Sequence, residues 1–137
     1  MTTLGLVVAQ FNRPITEQME QEALDAAHAA GAEVFETVRV PGVYDAPLAA
    51  DRLARREAVD AVAVVGSVIT GDTDHDQVIT DAAAQRLADV SVERDTPVTL
   101  GVTGPGMSAA EARERVENAA NAVDGALDLV SELPDPQ

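Results

Sequence analysis

Short runs rich in apolar residues alternate along this chain with longer segments of helical spacing, and this alternation constrains the fold more than any other feature. The run Leu4-Gly5-Leu6-Val7-Val8-Ala9 is continuously apolar, the mark of a strand buried on both faces. Val34 to Val40, Ala61 to Gly66 and Pro97 to Thr103 read as three further strands. Thr16 to Ala30 reads as a helix stopped by Gly31, and Asp45 to Glu57 as a second with Pro47 in its first turn. His75 to about Glu93 reads as a third. After a Gly104-Pro105-Gly106 turn, Ser108 caps one long last helix from Ala109 to Leu133.

Strict alternation of strand and helix requires parallel strands with crossover helices on both faces. The expected fold is α/β: a three-layer sandwich with a four-stranded parallel sheet, flavodoxin-like in kind. The 137 residues suit a single domain, with 134–137 a frayed tail.

Composition narrows the chemistry. Asp and Glu total 24 against 9 basic residues, giving a net charge of -15, and every one of the nine is arginine. Without lysine there is no Schiff-base lysine, P-loop lysine or polybasic surface, so neither nucleic acid nor membrane is an expected partner. Without cysteine there are no disulfides, thiolate metal sites or cysteine nucleophiles. Two histidines are too few for a multi-histidine metal site, so no metal is expected. The longest apolar run, Ala61 to Ile69, is less than half of the roughly 20 residues that a membrane helix needs. The N-terminus lacks a basic region followed by a cleavage site. A soluble, cytoplasmic protein is expected. The acids are dispersed rather than clustered, which fits adaptation to high cytoplasmic salt better than an acidic interaction tail. Alanine-rich helices and only three aromatics lean toward burial by self-association.

In an open parallel sheet, ligands bind beyond the carboxyl ends of the strands. Four segments lie there: Gln10-Phe11-Asn12, Pro41 to Asp45, Ser67 to His75, and Leu100 to Gly106. Phe11 is equally a core plug or a platform for a flat ring, with Asn12 beside it. Asp45 reads as a helix N-cap by statistics, or as a carboxylate for ligand hydroxyls. The stretch from Gly66 to Asp76 ends a strand, turns at Gly71 and opens a helix near His75. Backbone N–H groups at such a helix start attract an anion. Thr73 adds a hydroxyl donor, and His75 can move protons near neutral pH. Asp72, Asp74 and Asp76 stand around it in the sequence. They also alternate like a calcium loop, but the central glycine and closing glutamate are absent, with Ala83 at the closing position. His28 reads as solvated surface. Gly104-Pro105-Gly106 is a backbone nest or a plain turn. No Gly-x-Gly-x-x-Gly follows the first strand, which weighs against a dinucleotide. Arg113 and Arg115, two apart, point to different faces of the last helix; surface arginine is the simple reading for both, and one can reach a phosphate.

At these residues the chain resembles the 6,7-dimethyl-8-ribityllumazine synthases over nearly its whole length. The carriers are Phe11-Asn12, Val40-Pro41-Gly42 followed by an aromatic and an acid, and Gly71, Thr73 and His75 in a Gly-x-Thr-x-His pattern. Pro97 to Gly101 and Gly104-Pro105-Gly106-Met107 look like the archaeal branch, and an arginine stands at 115. The resemblance implies condensation of 5-amino-6-(ribitylamino)uracil with 3,4-dihydroxy-2-butanone 4-phosphate, without metal or organic cofactor. It implies that Phe11 and Asn12 meet the pyrimidine, with Phe11 stacking on it. Val43, Tyr44 and Asp45 would hold the ribityl chain, and Ser67, Val68 and Ile69 would read the uracil edge through backbone groups. Asp72 and Thr73 would cradle phosphate, and His75 would transfer protons. Leu100 and Arg115 would come from a neighbouring copy, in a homopentamer or a closed sixty-subunit shell, with Arg115 gripping phosphate. The chain departs from many relatives in carrying Tyr44 and Asp45 for Phe and Glu, and Leu100 for Phe. A non-catalytic flavin or pyrimidine binder, and a riboflavin synthase, are the alternatives on the same scaffold.

The charge makes one expectation measurable. Thermal unfolding followed by circular dichroism should shift to higher temperature between dilute buffer and molar salt, where screening shortens to about 3 Å. An unchanged melting curve refutes adaptation to salt.

Overall fold

The computed structural model describes residues 1–69 and 75–135. Strand β1 (Thr3–Ala9) leads into helix α1 (Ile15–Ala29), then β2 (Glu33–Val40). A 3-10 turn (Val43–Asp45) opens α2 (Ala46–Ala54), followed by β3 (Ala61–Ile69) and α3 (His75–Arg94). The chain finishes with β4 (Val98–Met107), α4 (Ala109–Arg113) and α5 (Asn118–Glu132). The sheet order is β2-β1-β3-β4, and every pairing is parallel. This is the flavodoxin-type order, in which the first strand lies inside the sheet.

The side-chain alternation of the two central strands builds two cores. Leu4, Leu6 and Val8 of β1 and Ala61, Ala63 and Val65 of β3 face α1 and α5. Val7, Val62 and Val64 face the opposite layer, where Ala50 and Leu53 of α2 meet Leu87 and Val90 of α3. A strand with helices on both faces has no solvated side, which is why the sequence of β1 carries no polar alternation. Helix α1 meets the sheet through Ile15, Met19, Ala23 and Ala27, spaced four apart. It ends where Gly31 takes a left-handed φ of 74°, with the Ala32 N–H donating to the Ala27 carbonyl at 2.9 Å.

Three boundaries differ from the sequence reading. The second helix starts later and stops earlier than Asp45 to Glu57: after Ala54 the chain tightens, with the Arg56 N–H donating to the Leu53 carbonyl, and delivers Val59 to the core. Strand β3 continues past Gly66 to Ile69. Gly66 is not a stop; a Cβ there would lie 2.9 Å from the Ala9 Cβ, so the residue permits close approach. The long last helix is two helices. Between them, Arg115 donates to Ala112, Asn118 to Arg115 and Ala119 to Val116, all across three residues. Ala112, Val116, Ala119 and Val123 still point into the core, so the apolar spacing runs through the break and conceals it.

Gly104-Pro105-Gly106 is a bulge within β4 rather than a turn after it. Ser67 pairs with Thr103 and Ile69 with Met107, so three residues leave the ladder opposite Val68. Pro105 has no N–H to donate, and Gly104 takes a φ of 95° with no room for a Cβ against the Val68 carbonyl.

Charge is distributed unevenly over the two helical layers. Helices α1 and α5 carry Glu17, Glu20, Glu22, Asp25, Asp124, Asp128 and Glu132 and no arginine. The other layer carries Arg52, Arg55, Arg56, Arg86 and Arg94 among its acids. There Asp51 of α2 accepts from Arg94 Nε of α3 at 2.7 Å and from Arg55 at 2.5 Å. The hydrogen bond from Arg94 is the main reason the Asp51 carboxyl is held below its ordinary value; partial burial opposes it and Arg55 adds to it.

Asp51→Asn should therefore lower stability at neutral pH by up to about 1 kcal/mol. A carboxyl with a depressed folded-state value contributes fully above its unfolded value and loses that contribution as pH falls through the folded one. The gap between the chain and the variant, read from denaturant midpoints, should close in acid.

Candidate active site

The carboxyl ends of β1, β2 and β3 open onto a cavity of about 250 Å³. Its walls come from each of these ends and from the start of α3. Beyond β1 the chain stays tied to β2, with the Gln10 N–H donating to the Val40 carbonyl at 2.9 Å and the Phe11 N–H to the Pro41 carbonyl at 3.0 Å. Asn12 then turns the backbone with a φ of 69°, and its Nδ2 donates to the Ser67 carbonyl of β3 at 2.8 Å. Asparagine tolerates this conformation better than most residues. The result is a phenyl ring at the rim: Phe11 is 68% exposed, which excludes the core-plug reading.

The segment after β2 contributes Val43, buried beneath the cavity, and Tyr44, exposed on its wall. Asp45 does not cap α2 with its side chain. Instead its Oδ2 reaches back to accept the Gly42 N–H at 3.0 Å. The expectation of a forward N-cap fails because the 3-10 turn places Asp45 one short turn past Gly42.

Ser67, Val68 and Ile69 line the inner wall. Ser67 is fixed twice, by Asn12 at its carbonyl and by Thr103, whose hydroxyl lies 2.8 Å from Ser67 Oγ with both residues buried. His75 lines the same cavity as Phe11. Beside it Asp76 accepts the Gly106 N–H at 3.1 Å, tying the first turn of α3 to the β4 bulge.

Nine of the residues singled out in the sequence thus surround one cavity. Leu100, 38% exposed on β4, is not among its walls, nor is Arg115, exposed between α4 and α5. Asp72 and Thr73 lie outside the described residues, as does Asp74. Gly42, Asp76 and Ile79 also line the cavity without having been given a ligand role. Ile79 was legible in principle, because it follows His75 by four on one helix face. Among the described residues no cluster of three His, Cys, Asp or Glu can hold a metal ion. No helix among them is long and apolar enough to cross a membrane.

A family model for 6,7-dimethyl-8-ribityllumazine synthase matches residues 1–133. The chain belongs to that family. Curated lumazine synthases resemble it over nearly their full length. That of Halobacterium salinarum is 66% identical over 97% of this chain and 100% of its own. That of Halorubrum lacusprofundi is 60% identical over 97% and 99%. That of Methanosarcina barkeri is 52% identical over 96% and 98%. Among solved structures, a Streptococcus flavodoxin aligns with a TM-score of 0.49 and 16% identity, over 90% of this chain and 99% of that one.

The paired hydroxyls beneath this lumazine synthase cavity give a stability test. Thr103→Val strips a buried partner from Ser67 and should lower unfolding free energy by about 1–3 kcal/mol. Thr103→Ser, which keeps the hydroxyl, should recover most of the loss.

Proposed function

We propose that this chain makes 6,7-dimethyl-8-ribityllumazine, and that His75 moves the protons. The observation that carries the reading is the exposed phenyl ring of Phe11 lining one cavity with His75, although the two lie far apart along the chain. The reaction joins an amine of 5-amino-6-(ribitylamino)uracil to the carbonyl of 3,4-dihydroxy-2-butanone 4-phosphate. Water leaves as the imine forms, phosphate is eliminated, and a second water leaves on ring closure. Each step moves a proton near neutral pH, which suits an imidazole.

Phe11 stacks on the pyrimidine, beside Asn12. The inner wall of Ser67, Val68 and Ile69 offers backbone groups to its polar edge. Val43, Tyr44 and Asp45 flank the ribityl chain. The phosphate falls to Asp72 and Thr73, largely through main-chain N–H groups, and to Arg115 of a neighbouring copy, which also lends Leu100. Holding two substrates in register is worth on the order of 7–11 kcal/mol in such reactions, so few catalytic side chains are required. The site is then complete only in an assembly, a pentamer or a shell of pentamers, working in the cytoplasm.

Mixing both substrates with purified protein should produce lumazine absorbance and an equal amount of inorganic phosphate. Phosphate without lumazine, or no turnover at all, overturns the reading. His75→Ala should slow turnover by about 10²–10⁴-fold while leaving affinity for the pyrimidine nearly intact. Light scattering that finds only monomers in molar salt removes the shared site.

A further inference from the structure

One edge of the Phe11 ring, Cδ2–Cε2, meets the protein, and what it meets is Gly42. Gly42 is buried, in extended conformation, and a Cβ there would lie 2.8 Å from Phe11 Cδ2 and 3.0 Å from Cε2. The Cδ2–Cε2 edge therefore abuts bare backbone, and any side chain at position 42 must displace the ring. Gly42 is itself held from two sides by one residue. Its N–H donates to Asp45 Oδ2 at 3.0 Å, and its carbonyl accepts the Asp45 N–H at 3.0 Å. The carbonyl end of that same Pro41–Gly42 peptide is fixed to the ring's own backbone, where Pro41 accepts the Phe11 N–H at 3.0 Å.

We propose that Gly42 and Asp45 are positioning residues: Asp45 clamps Gly42, and Gly42 sets the angle at which Phe11 presents its ring to a flat heterocycle. This deepens the reading of Phe11 as the pyrimidine platform and rests on it. An exposed phenyl ring on a loop ordinarily samples several rotamers, and each must be surrendered on binding. A seat that admits one orientation removes that loss. Asp45 thus influences pyrimidine binding through the ring, beyond any hydroxyl it meets directly.

The two routes separate with a pyrimidine that has no ribityl chain. 5,6-Diaminouracil and 5-amino-6-(ribitylamino)uracil are titrated into the full-length protein and followed by calorimetry or chemical-shift change, with inorganic phosphate as a third probe. Asp45→Ala and Gly42→Ala should each weaken 5,6-diaminouracil at least fivefold and leave phosphate unchanged. Asp45→Asn keeps a carbonyl oxygen for the Gly42 N–H and should bind 5,6-diaminouracil, which has no ribityl chain for residue 45 to meet, within twofold of the unaltered chain. If Asp45→Ala weakens only the ribityl compound, the clamp is wrong and Asp45 reads hydroxyls alone. If Gly42→Ala folds and binds 5,6-diaminouracil normally, the seat is wrong. Should that variant fail to fold, the comparison of Asp45→Ala with Asp45→Asn decides. Tight pyrimidine binding without lumazine formation sinks the synthase reading and leaves the clamp standing; no binding of either pyrimidine by the unaltered chain ends both.

Discussion

Strand β1 is hydrogen-bonded along both edges, to β2 and β3, and buried on both faces, and the rim of the molecule is organised by that fact. Parallel pairing forbids tight hairpins, so each strand must return through a crossover. All four carboxyl ends consequently fall on the same side of the sheet. Residues that the chain separates widely, Phe11, Val43 and His75, become walls of one cavity. The polar ties then refine what the sheet has gathered. Asn12 bonds β1's end to β3, Thr103 bonds β4 to β3, and Asp76 bonds α3 to the β4 bulge.

The layout was legible because doubly buried strands and amphipathic helices leave strong signatures. The continuous apolar run Leu4 to Ala9 marked an interior strand, and the helical recurrence of Ile15, Met19, Ala23 and Ala26 or Ala27 marked a helix facing the core, where the structure buries Ala27. The candidate site was legible through the topological rule that loops after parallel strands carry ligands. What sequence could not reveal depends on contacts between distant segments. Gly66 looked like a terminator and is an approach point for Ala9 and Val43. The break between α4 and α5 is invisible to periodicity, since Val116 keeps the apolar register across it. Asp45 has the sequence of a forward cap and the geometry of a backward clamp, a distinction made by a single 3-10 turn.

The two helical layers face different electrostatic surroundings. Helix pair α2–α3 is cross-linked by Asp51 between Arg55 and Arg94, charges drawn from a chain that has no lysine to offer. Planar guanidinium groups suit this use, because one carboxylate can satisfy two of them in fixed directions. The layer of α1 and α5 has no arginine on either helix; the Arg39 that meets Glu20 reaches over from β2.

That asymmetry gives the molecule a direction. Two copies drifting together α1-side to α1-side confront an excess of carboxylates, offset by Arg39 only at Glu20, and the repulsion extends about 30 Å at 0.01 M salt but only about 3 Å at 1 M. Dilute solution therefore filters collisions by orientation, turning away those that lead with the acidic flank. Brine shortens that reach, so the acidic flank no longer sets the orientation in which copies meet.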